Sequence, residues 1–161
     1  MSTESENNAQ TEAEKLLALR TKIDTIDEEI GRLISARATC AQEVAEVKKA
    51  NLPADAQILF YRPEREAQVL RKAMEQNKGP LSNEEMARLF REIMSACLAL
   101  ENPVKVAFLG PEGTFTQQAA LKHFGQSAVS LPFSAIDEVF REVEAGAVNY
   151  GVVPVENSTE C

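Results

Sequence analysis

From Leu16 onward the apolar residues fall at Leu16, Leu19, Ile23, Ile26, Ile30 and Leu33, in alternating steps of three and four. That beat describes a helix with one narrow sticky seam. It continues through Arg37, Cys40, Val44 and Val47, and Asn51-Leu52-Pro53 stops it. The pattern predicts a helix from about residue 13 to about residue 50. At about 1.5 Å per residue it is roughly 55 Å long, far beyond an ordinary globular helix. Residues 1–13 carry no apolar period and read as a disordered lead.

Pro63 suits the first turn of a second helix, with Glu64 and Glu66 favourable near its positive end. This helix runs to about Asn77, and Gly79-Pro80 ends it. Ser82 with Glu85 makes a capping box for a third helix, which turns Met86, Leu89, Phe90, Ile93, Cys97 and Leu100 inward. Asn102-Pro103 breaks the pattern. Two helices of about half the length cannot cover the seam of the first if they fold back as a compact hairpin. The uncovered apolar length needs another surface, and the same seam of a second copy supplies one. An intertwined homodimer is expected.

After Pro103 the period changes. Val104 to Leu109 reads as a strand, followed by Gly110-Pro-Glu-Gly-Thr-Phe-Thr and a helix to about Phe124. Ala128 to Leu131 reads as a second strand, Ser134 as the cap of a helix ending near Gly146, and Tyr150 to Val155 as a third strand. Strands alternating with helices indicate a parallel α/β sheet. Residues 104–161 offer helices for little more than one face of it, so the segment reads as the opening of a larger domain.

Composition narrows the partners. A net charge of −8 over 161 residues argues against nucleic acid or an anionic membrane surface, both of which need a basic face. No apolar run approaches the roughly 18 residues of a membrane-spanning helix, and the acidic N-terminus does not look like a secretory signal. Cys40, Cys97 and Cys161 are dispersed, without a CxxC pair. They read as free thiols in a reducing cytoplasm, with no metal site.

Some residues do not suit their positions. Arg37 falls on the seam, where an unpaired guanidinium is costly to bury. Lys48 lies eleven residues on, about 20° around the helix and about 16 Å along it, so the two cations share one stripe. Arg20 is about 42 Å from Lys48 along the same helix and can join such a site only from a partner chain. Arg65 and Glu66 follow Pro63, and Glu101 extends the Ile93–Cys97 stripe by one more step. Two readings are open: an internal salt-bridge network pairing Arg37 or Lys48 with Glu66 or Glu101, or a cationic pocket for a small polycarboxylate. The Gly110–Gly113 turn is a weak anion-site motif. Glu156-Asn157-Ser158-Thr159 ends a strand, where ligands of open α/β sheets bind. His123 reads as a helix-terminal residue.

The stretches LLALRTKIDTID, ISARATCAQEVAEVKK, YRPEREAQVL and MARLFREIMSACLALE, followed by VAFLGPEGTFT and VPVENST, resemble the bifunctional chorismate mutase–prephenate dehydratases of bacterial phenylalanine biosynthesis. The resemblance implies an all-α, three-helix chorismate mutase domain over residues 14–102 that forms an entwined helical dimer. Residues 103–161 are then the N-terminal part of an incomplete α/β, periplasmic-binding-protein-like dehydratase lobe. It implies a substrate pocket for chorismate and prephenate built from Arg20 of the partner copy with Arg37, Lys48, Arg65, Glu66, Cys97 and Glu101. Glu66 would hold the ring hydroxyl, and Cys97 stands where the family often has Ser. Lys48 and a protonated Glu101 would meet the ether oxygen. Glu156, Asn157 and Ser158 would be remnants of a dehydratase half-site, without dehydratase activity. No cofactor or metal is implied. Competing expectations are a catalytically silent dimerisation module and a small-molecule sensor.

Overall fold

The computed structural model describes residues 2–54 and 61–155. Helix α1 (Ser2–Ala50) stops where the sequence says it should. The Asn51 side chain donates to the Val47 carbonyl at 2.7 Å, satisfying one orphan acceptor, and Lys48 and Lys49 sit favourably in the last turn. Its start differs from expectation. The helix continues back through the supposed disordered lead to Ser2, a stretch that contains no Gly or Pro to interrupt it.

The chain divides into two compact units, residues 1–40 and 41–161. In the first, the seam residues Leu16, Leu19, Ile23, Ile26, Ile30 and Leu33 are each 46–57% exposed among the described residues. Cys40, expected inward, is exposed with them. A helix this apolar along one side does not bury that side by itself.

In the second unit α2 (Pro63–Gln76) packs on α3 (Asn83–Ala99) as a hairpin. Asn77 organises the turn between them, donating to the Leu81 carbonyl at 2.8 Å and to Asn83 Oδ1 at 3.0 Å. The hydroxyl of Ser82 accepts the Glu85 amide at 3.2 Å, the N-cap anticipated from sequence.

Then follow β1 (Lys105–Leu109), α4 (Phe115–Phe124), β2 (Val129–Phe133), α5 (Ile136–Glu144) and β3 (Tyr150–Val152). The sheet is parallel with order β2-β1-β3, and Val106 pairs with Ser130 on one side and Tyr150 on the other. The central strand buries Val106, Ala107 and Phe108 in succession because both faces of the sheet are covered. On one face Ala107 packs with Val139 and Val148, beside Val143. On the other, Val106 joins Val104, Ala120 and Phe124 together with Tyr61 and Leu98 from the helical segment. The expectation of helical cover for little more than one face is therefore corrected: α4 covers one face and α5 the other, and Tyr61 and Leu98 add to the α4 side. Ser134 is not the cap of α5. Ala135 occupies that position, and Ser134 donates its N–H and O–H to the Glu138 carboxylate at 3.1 and 3.0 Å.

The helical segment and the sheet meet closely. Gly125 ends α4 at φ +88°, and a Cβ there would strike Ser95 of α3. Nearby, Glu92 accepts the Gln126 amide at 3.0 Å. One continuous core thus crosses the sequence boundary at 102/103.

Candidate functional site

Two partly buried carboxylates organise the polar chemistry of the second unit. Glu101 follows the last turn of α3, its amide bonded to the Leu98 carbonyl at 3.1 Å. Its side chain is only 13% exposed and accepts from Lys49 Nζ at 2.9 Å, while Glu46 accepts from the same ammonium at 3.3 Å. These carboxylates, Glu101 foremost, hold the Lys49 ammonium above its ordinary pKa. Lys48, next to it, is half-buried.

Glu66 lies on the first turns of α2, where Arg62 is the N-cap and Pro63 the first helical residue. From α3, Arg91 Nε approaches its carboxylate at 3.6 Å, and both side chains are largely covered. That same Nε is buried without a hydrogen-bond partner among the described residues. Burial raises the Tyr61 phenol well above the ordinary value, and the negative charge of Glu66 pushes the same way, with Arg91 opposing. Tyr150 is raised too, by burial first and then by Glu64 and Glu66.

The remaining sequence candidates are distributed as follows. Cys97 is buried on α3, one turn before Glu101. Arg65 is exposed, its guanidinium 3.5 Å from Gln68 Oε1. In the first unit Arg37 is half-buried and Arg20 exposed, and neither forms an ion pair among the described residues. Glu156, Asn157 and Ser158 lie outside the described residues, as does Cys161. The salt-bridge alternative pictured Arg37 or Lys48 against Glu66 or Glu101. Both carboxylates do have cationic partners: Lys49 meets Glu101 and Arg91 meets Glu66.

Sequence reasoning missed Tyr61, Arg91 and Lys49. Lys49 is one residue, about 100° of helix, from Lys48 and so lies off the stripe that Lys48 shares with Arg37. Arg91 meets Glu66 across the α2–α3 hairpin, a pairing that no local spacing encodes.

Two other features bear on ligands. The turn before α4 is internally satisfied: Gln117 Oε1 accepts the Gly113 amide at 2.6 Å, and the Thr114 hydroxyl accepts the Gln117 amide at 3.4 Å. An open groove of about 1080 Å³ runs between α2, α3 and α4. Its rim sets Glu84, Glu85 and Glu92 against Arg88, Arg91 and Lys122, so it has no net sign with which to select an anion. Among the described residues no group of His, Cys, Asp and Glu could hold a metal ion, and no helix is long and apolar enough to cross a membrane.

Comparison with known proteins gives two family matches: chorismate mutase type II over residues 19–102 and prephenate dehydratase over residues 106–161. A bifunctional chorismate mutase/prephenate dehydratase of Stutzerimonas stutzeri is 71% identical over 150 residues, 93% of this chain and 41% of that protein. The protein of that name from Pseudomonas aeruginosa is 68% identical, over 91% of this chain and 40% of its own length. That from Escherichia coli K12 is 30% identical, over 92% and 42%. The chain thus spans about two fifths of the length of these curated relatives. No solved structure matches it significantly.

Proposed function

The chain belongs to the chorismate mutase type II family, and we propose that it converts chorismate to prephenate as a cytoplasmic homodimer. The observation that carries this reading is the family match over residues 19–102, which includes every position of the expected pocket: Arg20, Arg37, Lys48, Arg65, Glu66, Cys97 and Glu101. The exposed seam of α1 supports the dimer, because a second copy would bury those apolar side chains and bring Arg20 to the other copy's site.

The rearrangement is intramolecular, breaking a C–O bond as a C–C bond forms, and needs no nucleophile, cofactor or net proton transfer. Catalysis consists of holding the compact diaxial conformer and stabilising charge that grows on the ether oxygen. Arg20 of the partner copy and Arg37 clamp the two carboxylates. Glu66 accepts from the ring hydroxyl, with Arg65 beside it, and Lys48 donates to the ether oxygen. The buried Cys97 thiol is a weak donor to a carboxylate. Glu101 donates from the opposite side of the ether, which requires its pair with Lys49 to open and its carboxyl to carry a proton.

Glu101→Gln, a permanent donor, should keep kcat/KM on chorismate close to wild type, whereas Glu101→Ala should lower it by at least about 10²-fold. A Glu101→Ala protein with near-normal turnover would take Glu101 out of the mechanism. Residues 106–161 match the prephenate dehydratase family, and phenylpyruvate formation from prephenate tests whether they carry that activity. A silent dimerisation module would be dimeric yet leave chorismate intact, and a sensor would bind prephenate or phenylalanine in calorimetry without consuming chorismate.

A further inference from the structure

A guanidinium is costly to cover, and an N–H of it that finds no acceptor adds to the cost. Arg91 on α3 carries both burdens. Its side chain is 25% exposed, and its buried Nε has no hydrogen-bond partner among the described residues. The acid beside it is Glu66 of α2, 14% exposed, whose Oε1 stands 3.6 Å from that Nε. A closed bond between such charged groups is about 2.7–2.9 Å long. The pair is therefore close enough to attract strongly under cover, yet it is not locked.

The stretch of α3 that carries Arg91 is held by the end of α4. The next residue, Glu92, accepts the Gln126 amide through its two carboxylate oxygens at 3.3 and 3.0 Å. A Cβ on Gly125 would strike Ser95 and lie 3.6 Å from the Arg91 carbonyl oxygen. The backbone of Arg91 is thus placed by packing in which Glu66 takes no part. Two acids that line the same groove are engaged elsewhere, Glu92 with Gln126 and Glu85 with Arg88 at 2.7 Å. Glu66 is the acid left for Arg91 to hold.

We propose that Arg91 is a positioning residue for Glu66 and, through it, sets how strongly the site recognises the substrate's ring hydroxyl. The inference rests on the mutase reading above, in which Glu66 accepts from that hydroxyl. Arg91 restrains the carboxylate at Oε1, and the hydroxyl is taken by the other oxygen. Because α4 braces the backbone of Arg91, residues after 102 help to fix a group that meets chorismate, a role separate from prephenate dehydration.

The test uses Arg91→Met, which keeps a long side chain beside Leu70 and Met74 in the groove and removes the guanidinium. Two probes are compared by calorimetry: a bicyclic dicarboxylate ether that carries the ring hydroxyl, and the same compound without it. Arg91→Met should bind the hydroxylated probe about tenfold more weakly, the scale of one hydrogen bond to a charged group. Binding of the hydroxyl-free probe should not change, whereas a general loosening of the hairpin would weaken both. In a Glu66→Ala background Arg91→Met should alter neither. Arg91→Lys should restore most of the discrimination, and Arg91→Gln, read with the same probes, keeps the test decisive if Met is not tolerated at this position. Binding of the hydroxylated probe within twofold of wild type, or equal weakening of both probes, would overturn the inference alone. A wild-type chain that leaves chorismate intact would remove the mutase reading and this inference together.

Discussion

Gly125 offers the sharpest test of how the helical segment meets the sheet. It ends α4 at φ +88° and ψ 161°, a backbone region open to glycine and strained for any residue with a Cβ. That strain costs about 1–3 kcal/mol. The methyl of Gly125→Ala would also come within 2.5 Å of Ser95 Oγ and strike Ser95 Cβ, which is anchored to helix backbone and cannot swing away. Overpacking of this kind costs about 1–3 kcal/mol more. The sum, roughly 2–6 kcal/mol, is a large part of the 5–15 kcal/mol that usually holds a domain together. Urea unfolding followed by circular dichroism measures it, since the chain has no Trp to report by fluorescence. Gly125→Ala should unfold at markedly lower urea. Adding Ser95→Gly should recover the steric part but not the backbone part, giving a favourable coupling of about 1–3 kcal/mol in the cycle. A Gly125→Ala protein within about 0.5 kcal/mol of wild type would refute the close approach of α3 to the end of α4.

The chain has two tyrosines, and the folded state raises both phenols above the ordinary value of 10.0. A raised folded value means that protons bound below that pH favour the fold, and this stability is lost as pH climbs through the folded values. Phenolate absorbance should therefore appear only above the ordinary range, together with unfolding; normal titration of either ring in a native protein would contradict the core described here. Ile26→Asp should convert the dimer to monomer in sedimentation velocity while the helical signal persists, because Ile26 is half exposed within a single copy; an unchanged dimer would place the interface elsewhere. Ser82→Ala should cost about 1 kcal/mol in urea unfolding, the usual worth of an N-cap, and a neutral result would mean that the cap contributes nothing to α3.

Much of this architecture is legible in the sequence because its signals are local. The three-four beat marks α1, Pro63 opens α2, Ser82 and Glu85 open α3, and the change of period after Pro103 announces the sheet. Ends set by punctuation residues fall close to expectation, as at Ala50 and Phe124. Elements without a strong stop drift: β3 closes at Val152, short of Val155, and α5 takes Ala135 as its cap although Ser134 stands beside it. The non-local features could not be read at all. Nothing in YRPEREAQVL says that its tyrosine lies on Phe124, sixty-three residues later, or that Glu66 will meet Arg91. Spacing put Arg37 and Lys48 on one stripe and left the rest of the expected pocket to the family resemblance, while the pairs Glu101–Lys49 and Glu66–Arg91 depend on how helices cross.

The central claim is that cations from two copies of this chain share one site for a small dianion. Complementation between inactive variants tests it most directly. Arg20→Ala and Lys48→Ala should each lose at least about 10²-fold in chorismate turnover, the scale of one preorganised donor. When the two are unfolded together and refolded as a mixture, half of the dimers combine one of each, and one of the two sites in such a dimer is intact. The mixture should therefore regain roughly a quarter of wild-type activity. A mixture no more active than either variant alone, with mixed dimers demonstrated, would contradict a site shared across the interface.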